Sequence, residues 1–158
     1  MKYLISHRGN IDGPVKQFEN MPQYIDLAHS KGYDVEIDVW YDSQNSDYHL
    51  GHDTPEYKIS KQWLLERKDW LWCHAKNLEA LQQLIQDDLH CFWHQEDQAT
   101  ITSKRIIWCY PGNFIKNGIA VIPENVFSVS EFKKIVNKVL GVCTDYPSKF
   151  SSEDYNTV

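Results

Sequence analysis

Asp34-Val35-Glu36-Ile37-Asp38-Val39-Trp40 alternates acid and aliphatic residues one by one. Successive side chains of a strand point to opposite faces, so this heptad puts Asp34, Glu36 and Asp38 on one face and Val35, Ile37 and Val39 on the other. In an antiparallel sheet with one wet face the acids would simply be solvated. In a sheet covered on both faces they need partners, because unpaired buried carboxylates are costly. Two strand steps separate Glu36 from Asp38 by about 6.6 Å at Cα, so side chains of different length converge on one divalent ion. Oxygen ligands favour magnesium or calcium, and such an ion reverses the local field toward an anionic phosphate.

The surrounding pattern selects the covered sheet. Seven further short runs read as strands: Tyr3-Ser6, Tyr48-Leu50, Leu71-Ala75, Cys91-His94, Ile106-Tyr110, Ile119-Ile122 and Val142-Thr144. Between several of them, 17–31, 59–67, 78–89 and 130–140 carry apolar residues at helical spacing. Asn77 and Ser130 suit helix N-caps, and Gly32 suits a helix stop. Strands alternating with helices predict a parallel sheet, with the aliphatics under helices and the acids inside a barrel mouth. A (β/α)8 barrel normally takes about 250 residues, and this chain has 158. The expectation is therefore a compact (β/α)8 TIM-type barrel with some helices reduced to loops, notably 95–104 and 111–118, forming a single domain over 1–158.

Barrel enzymes place catalytic side chains at strand ends. His7-Arg8-Gly9 closes the first strand, where Arg8 offers a fork matched to phosphate oxygens. Gly51-His52-Asp53 closes the third. Two histidines permit acid–base chemistry near neutral pH, one accepting a proton and the other giving one. Asp53 either orients an imidazole or caps the turn at Thr54-Pro55. Alternation in 72–76 puts His74 and Lys76 on one face, His74 within reach of the ion and Lys76 either toward the phosphate or at the surface.

A net charge of −6 argues against binding a nucleic-acid polymer, which needs basic patches. It also means that a phosphate site must bring its own positive charge. Cys73, Cys91, Cys109 and Cys143 form no C-x-x-C pair and read as reduced, buried thiols of a cytoplasmic protein. The first residues lack a signal peptide's apolar core of about 7–15 residues, and no run approaches the roughly 18 residues of a membrane span.

Together His7-Arg8-Gly9, Glu19-Asn20, Gly32, Glu36-Ile37-Asp38, Gly51-His52-Asp53, Lys76 and Thr144-Asp145-Tyr146-Pro147 resemble the glycerophosphodiester phosphodiesterase family, within the phospholipase-C-like phosphodiesterase barrels. The resemblance covers the first four strands well and the last in part, and little of 95–141 takes part in it. It implies hydrolysis of a small phosphodiester, with His7 and His52 as general acid and base, a magnesium or calcium ion on Glu36 and Asp38, and Arg8 on the phosphate. The family carries a third acidic ligand where this chain has His74, so the third ligand is His74 or a carboxylate of Glu96 or Asp97. The family's insert after the third strand is reduced here to 54–69. Trp93, Trp108 and Tyr110 are either core filling or a wall for the substrate. The alternatives are a phospholipase D-like lyase that forms a cyclic phosphate, a phosphate-ester-binding barrel without turnover, and a purely structural barrel.

Overall fold

The computed structural model describes residues 1–150, so residues 151–158 of the expected 1–158 domain lie outside the described residues. Ten strands make one curled sheet: β1 Tyr3–His7, β2 Asp34–Asp42, β3 Asp47–Leu50, β4 Tyr57–Ile59, β5 Leu71–Ala75, β6 Cys91–Phe92, β7 Ala99–Ile101, β8 Ile107–Cys109, β9 Gly118–Val121 and β10 Gly141–Thr144. Seven run parallel in the order β6-β5-β2-β1-β10-β9-β8. The four helices of the described residues are α1 Pro22–Ser30, α2 Lys61–Leu65, α3 Leu78–Gln86 and α4 Val129–Lys133.

This corrects the expected (β/α)8 TIM-type barrel. Only four helices accompany ten strands, and among the described residues no ladder joins β6 to β7 or β8, so the sheet curls without closing. The cause lies in 93–106, where the polar run Gln95-Glu96-Asp97-Gln98 offers no apolar helix face; in place of a helical crossover this stretch supplies β7, antiparallel to β8. The resulting seam is bridged by side chains and single backbone bonds: Ser103 N–H donates to the Cys91 carbonyl at 2.8 Å and its Oγ accepts from the Cys91 N–H at 3.0 Å, His90 Nε2 lies 2.9 Å from Thr102 Oγ1, and the Phe92 ring packs on Trp108 at 4.5 Å between centroids.

The second correction concerns Tyr48-Leu50, which is no parallel stave. β2 overruns the rim and folds back as an antiparallel hairpin, pairing Val39 with Leu50 and Trp40 with His49, and β4 adds a third strand. The expected helix over 59–67 thus shortens to α2, capped by Ser60. Helix 130–140 shortens to α4 and a separate turn, and its N-cap is Ser128, whose reciprocal bonds with Glu131 form a capping box. Asn77 caps α3 as expected, accepting from Ala80 N–H at 3.2 Å.

The alternation in β2 carries through to packing. Val35, Ile37 and Val39 are fully buried under α1 and α3 on the convex side. Each such side chain contributes about 1.5–3 kcal/mol by leaving water. The concave side holds its own core of Ile5, Trp72, Phe92, Trp108, Ile119 and Val121, with Trp72 and Trp108 at 5.6 Å between ring centroids. Among the described residues, no helix is long and apolar enough to cross a membrane.

Asn77 ties two of these layers together. Its Oδ1 also accepts from Tyr41 N–H at 3.1 Å and its Nδ2 donates to the Tyr41 carbonyl at 2.9 Å, fastening α3 to the β2 overrun. Asn77→Ala should therefore cost about 2–3 kcal/mol by urea denaturation, against about 1 kcal/mol for an ordinary cap; a loss of about 1 kcal/mol or less would show that the strand tie adds nothing.

Candidate metal and acid–base site

The C-terminal ends of the parallel strands converge on one rim, and the ladder sets which side chains meet there. His7 of β1 is opposite Glu36, and Asp38 of β2 is opposite His74 of β5. Glu36, Asp38 and His74 form the one group of three metal-ligating side chains found among the described residues, with one ligand atom from each within 4.8 Å of the others. Glu36 and Asp38 are 2% and 0% exposed, so their charges must be answered inside the protein.

Asp38 is the more heavily compensated. Its Oδ2 accepts from Asn20 Nδ2 at 2.9 Å and lies 2.9 Å from Arg8 Nε, and its backbone N–H donates to Asn20 Oδ1 at 2.9 Å. Its Oδ1 faces His74 Nδ1 at 3.2 Å and Lys76 Nζ at 3.4 Å. Burial pushes the Asp38 carboxyl up, but His74, Arg8 and Lys76 outweigh it and hold it well below the usual carboxylate range. Glu36 goes the other way, raised by burial and by the charge of Asp38.

His74 is set as a ligand. Its Nε2 lies 2.9 Å from the His94 carbonyl, which can only accept, so Nε2 carries a hydrogen, and Nδ1 is left facing Asp38 Oδ1 at 3.2 Å and Glu36 Oε1 at 3.8 Å, a donor to the acids without an ion and the atom that would ligate one. Glu96 and Asp97, the other candidates for third ligand, are exposed and outside the cluster. Asp97 instead offers its carbonyl to His94 Nε2 at 2.6 Å.

Sequence reading gave Asp145 no role, yet it decides the state of His7. It follows β10 as His7 closes β1, and its Oδ1 lies 2.7 Å from His7 Nδ1. With Nδ1 hydrogen-bonded to the acid, Nε2 is left facing Glu36 at 3.9 Å. Asn10 donates to the same oxygen at 2.8 Å and to Glu19 Oε1 at 3.0 Å, while Glu19 Oε2 accepts from Arg8 at 3.1 Å. Asn10, Glu19 and Asn20 thus form a scaffold under the rim. The position of Asp145 at a strand end was a readable signal; the contacts of Asn10 and Asn20 depend on loop geometry that no spacing rule encodes.

His52 reaches the rim by the hairpin. Gly51 N–H donates to the Asp38 carbonyl at 3.2 Å, and Trp40 Nε1 donates to the Gly51 carbonyl at 2.7 Å. Gly51 has φ +146°, and a Cβ there would meet the Thr54 carbonyl oxygen at 2.1 Å, so only glycine makes this turn. Asp53 orients the His52 ring, Oδ1 to Nδ1 at 2.7 Å, from a largely exposed position. Gly9 (φ +88°) is equally confined, since an added Cβ would lie 2.9 Å from the Tyr24 ring.

His7, Arg8, Glu36, His52 and His74 border one cavity of about 160 Å3, whose far wall includes Trp108 and Tyr110. Trp93 packs instead on the convex core. Arg8 and Lys76, the expected phosphate contacts, both pair with Asp38, although Arg8 also lines the cavity. No family model matches the chain, and no curated protein matches it.

Burial lowers His7, but the Asp145 hydrogen bond and the Glu36 charge outweigh it, so His7 titrates above its ordinary 6.5. Burial and Arg8 lower His52. Because the folded His7 value is raised, its pairing stabilises the metal-free fold fully below about pH 6.5 and that contribution is lost as pH rises through the folded value. Asp145→Asn should lower the His7 titration seen by imidazole NMR in the presence of a chelator, and flatten the fall in urea stability above about pH 6.5; an unmoved His7 titration would mean that the contact does not set its proton affinity.

Proposed function

We propose that this chain is a metal-dependent phosphodiester hydrolase. The observation that carries the reading is the convergence of His74 Nδ1 on two buried acids, at 3.2 Å from Asp38 Oδ1 and 3.8 Å from Glu36 Oε1, with Glu36 Oε2 left without a hydrogen-bond partner among the described residues. Buried carboxylate oxygens left in this state need a cation. Glu36, Asp38 and His74 therefore fit a divalent ion such as magnesium or calcium, and the imidazole also accommodates a borderline metal. A bound ion would supply positive charge to a phosphoryl oxygen.

The remaining residues provide the rest of the chemistry. Arg8 holds a nonbridging oxygen through the guanidinium face that borders the cavity, while Lys76 adds positive charge beside Asp38. One of His7 and His52 takes the proton of the attacking water as its oxygen bonds to phosphorus. The other gives a proton to the alcohol oxygen as its bond to phosphorus breaks. Asp145 and Asp53 keep the two rings oriented, and Asn20 fixes Asp38. The likeness of the rim motifs to glycerophosphodiester phosphodiesterases supports the same assignment.

A second reading, a phosphate-ester-binding module without turnover, draws on the pairing of Arg8 and Lys76 with Asp38. Phosphorus NMR of the purified protein with phosphodiesters and magnesium, calcium or manganese separates the cases: a monoester for the hydrolase, a cyclic phosphate for a lyase, and binding without product for the module.

His7→Ala and His52→Ala should each lower kcat by about 100-fold or more, and wild-type rates in both variants would sink the scheme. Glu36→Gln and Asp38→Asn should abolish the heat of magnesium or calcium binding in titration calorimetry, as His74→Ala should weaken it; unchanged binding in all three would place the ion elsewhere.

A further inference from the structure

Two concavities meet at the rim, and their walls differ in chemistry. Arg8 and His52 line both. On one side lies the 160 Å3 cavity, where Trp108, Tyr110, Pro111, Val121 and Ile122 form an apolar wall beside the rim residues His7, Glu36 and His74. On the other lies a cleft of about 300 Å3 in which every lining residue is polar, including Lys16, Glu19, Asp53 and Glu56. A phosphodiester has two alcohols on one phosphorus, so a phosphoryl group at Arg8 and His52 would send one into each space.

The walls and their charge narrow what each takes. Polar side chains line much of the 160 Å3 cavity, so apolar contact is confined to the wall of Trp108, Tyr110, Pro111, Val121 and Ile122, which offers a face to one flat ring. Among the residues lining it Glu36 is the sole acid, and Glu36 belongs to the ion site, so a cationic group finds no counter-charge there. Tyr110 is 38% exposed and stands edge-on to His94 at 5.7 Å, leaving part of its surface free for a flat partner. The cleft carries three acids against Arg8 and Lys16 and offers hydrogen bonds in place of apolar contact.

We propose that the substrate is an asymmetric phosphodiester: one alcohol bears a single neutral ring that packs against Trp108 and Tyr110, and the other is rich in hydroxyl or amine groups and lies along Lys16, Asp53 and Glu56. This rests on the phosphodiester hydrolase reading. The chemistry is unchanged, water adding to phosphorus as one alcohol leaves with a proton.

Three synthetic esters test it: benzyl glyceryl phosphate, methyl glyceryl phosphate and benzyl methyl phosphate, followed by phosphorus NMR with the full chain and magnesium, calcium or manganese. Benzyl and methyl alcohols have similar acidity, so rate differences report binding and not leaving-group strength. The expected result is a kcat/KM for benzyl glyceryl phosphate at least tenfold above both others. Tyr110→Ala should cut its advantage over methyl glyceryl phosphate at least fivefold, and Tyr110→Leu serves if the alanine variant does not fold. Rates within twofold for all three esters, or an advantage that survives loss of the Tyr110 ring, would overturn the asymmetry while leaving the hydrolase reading intact. Turnover of none of the three with any of the metals would overturn both.

Discussion

A carboxylate with no exposed surface, Asp38, sits in the middle of the concave wall, and much of the rim is arranged to answer its charge. Leaving such a group uncompensated would cost several kcal/mol. Arg8, Asn20, His74 and Lys76 come to it from three separate segments of the chain. Those segments are the loop after β1, the approach to α1, and the body and end of β5. The same contacts that stabilise Asp38 therefore fix the spatial relation of the strand ends, and the functional cluster and the fold share one set of interactions.

The cluster is also graded. Asp38 is held ionised by its partners, whereas Glu36, one step down the strand and opposite His7, has its proton affinity raised by burial and by Asp38. Two like acids in one pocket seldom ionise alike. The consequence is a pocket in which one oxygen set is committed to internal partners and the other is open to a ligand.

How much was legible follows from how local each signal was. The two-residue period of 34–40 assigned the faces of β2 correctly, because alternation needs no knowledge of neighbours. The Asn77 cap followed from an equally local pattern, whereas the meeting of His74 with Glu36 and Asp38 depends on the β2–β5 ladder, which joins residues 36 positions apart. The closed barrel failed because closure depends on what spans β6 to β8, and the polar run from Gln95 to Lys104 hides β7 as a short, half-exposed strand. His52 was assigned to the rim for the wrong reason: a hairpin, not a parallel stave, returns it to the level of Asp38. Ser128-Val129-Ser130-Glu131 did hold the capping-box signature, and the cap was nonetheless set two residues late. The place of Asp145 at a strand end was legible, but its pairing with His7 spans 138 positions of sequence, which no window reports.

The seam beside β6 has a thermodynamic corollary. Among the described residues β6 is laddered on one side alone, and the chain running on from it supplies the His94 carbonyl that holds the His74 ring in its orientation. Separation along the seam and loss of a correctly turned His74 are thus parts of one equilibrium. By reciprocity, whatever binds through His74 disfavours the parted state by the same free energy that parting subtracts from its affinity. The state of the β6 edge and affinity at the centre of the rim are linked in this way.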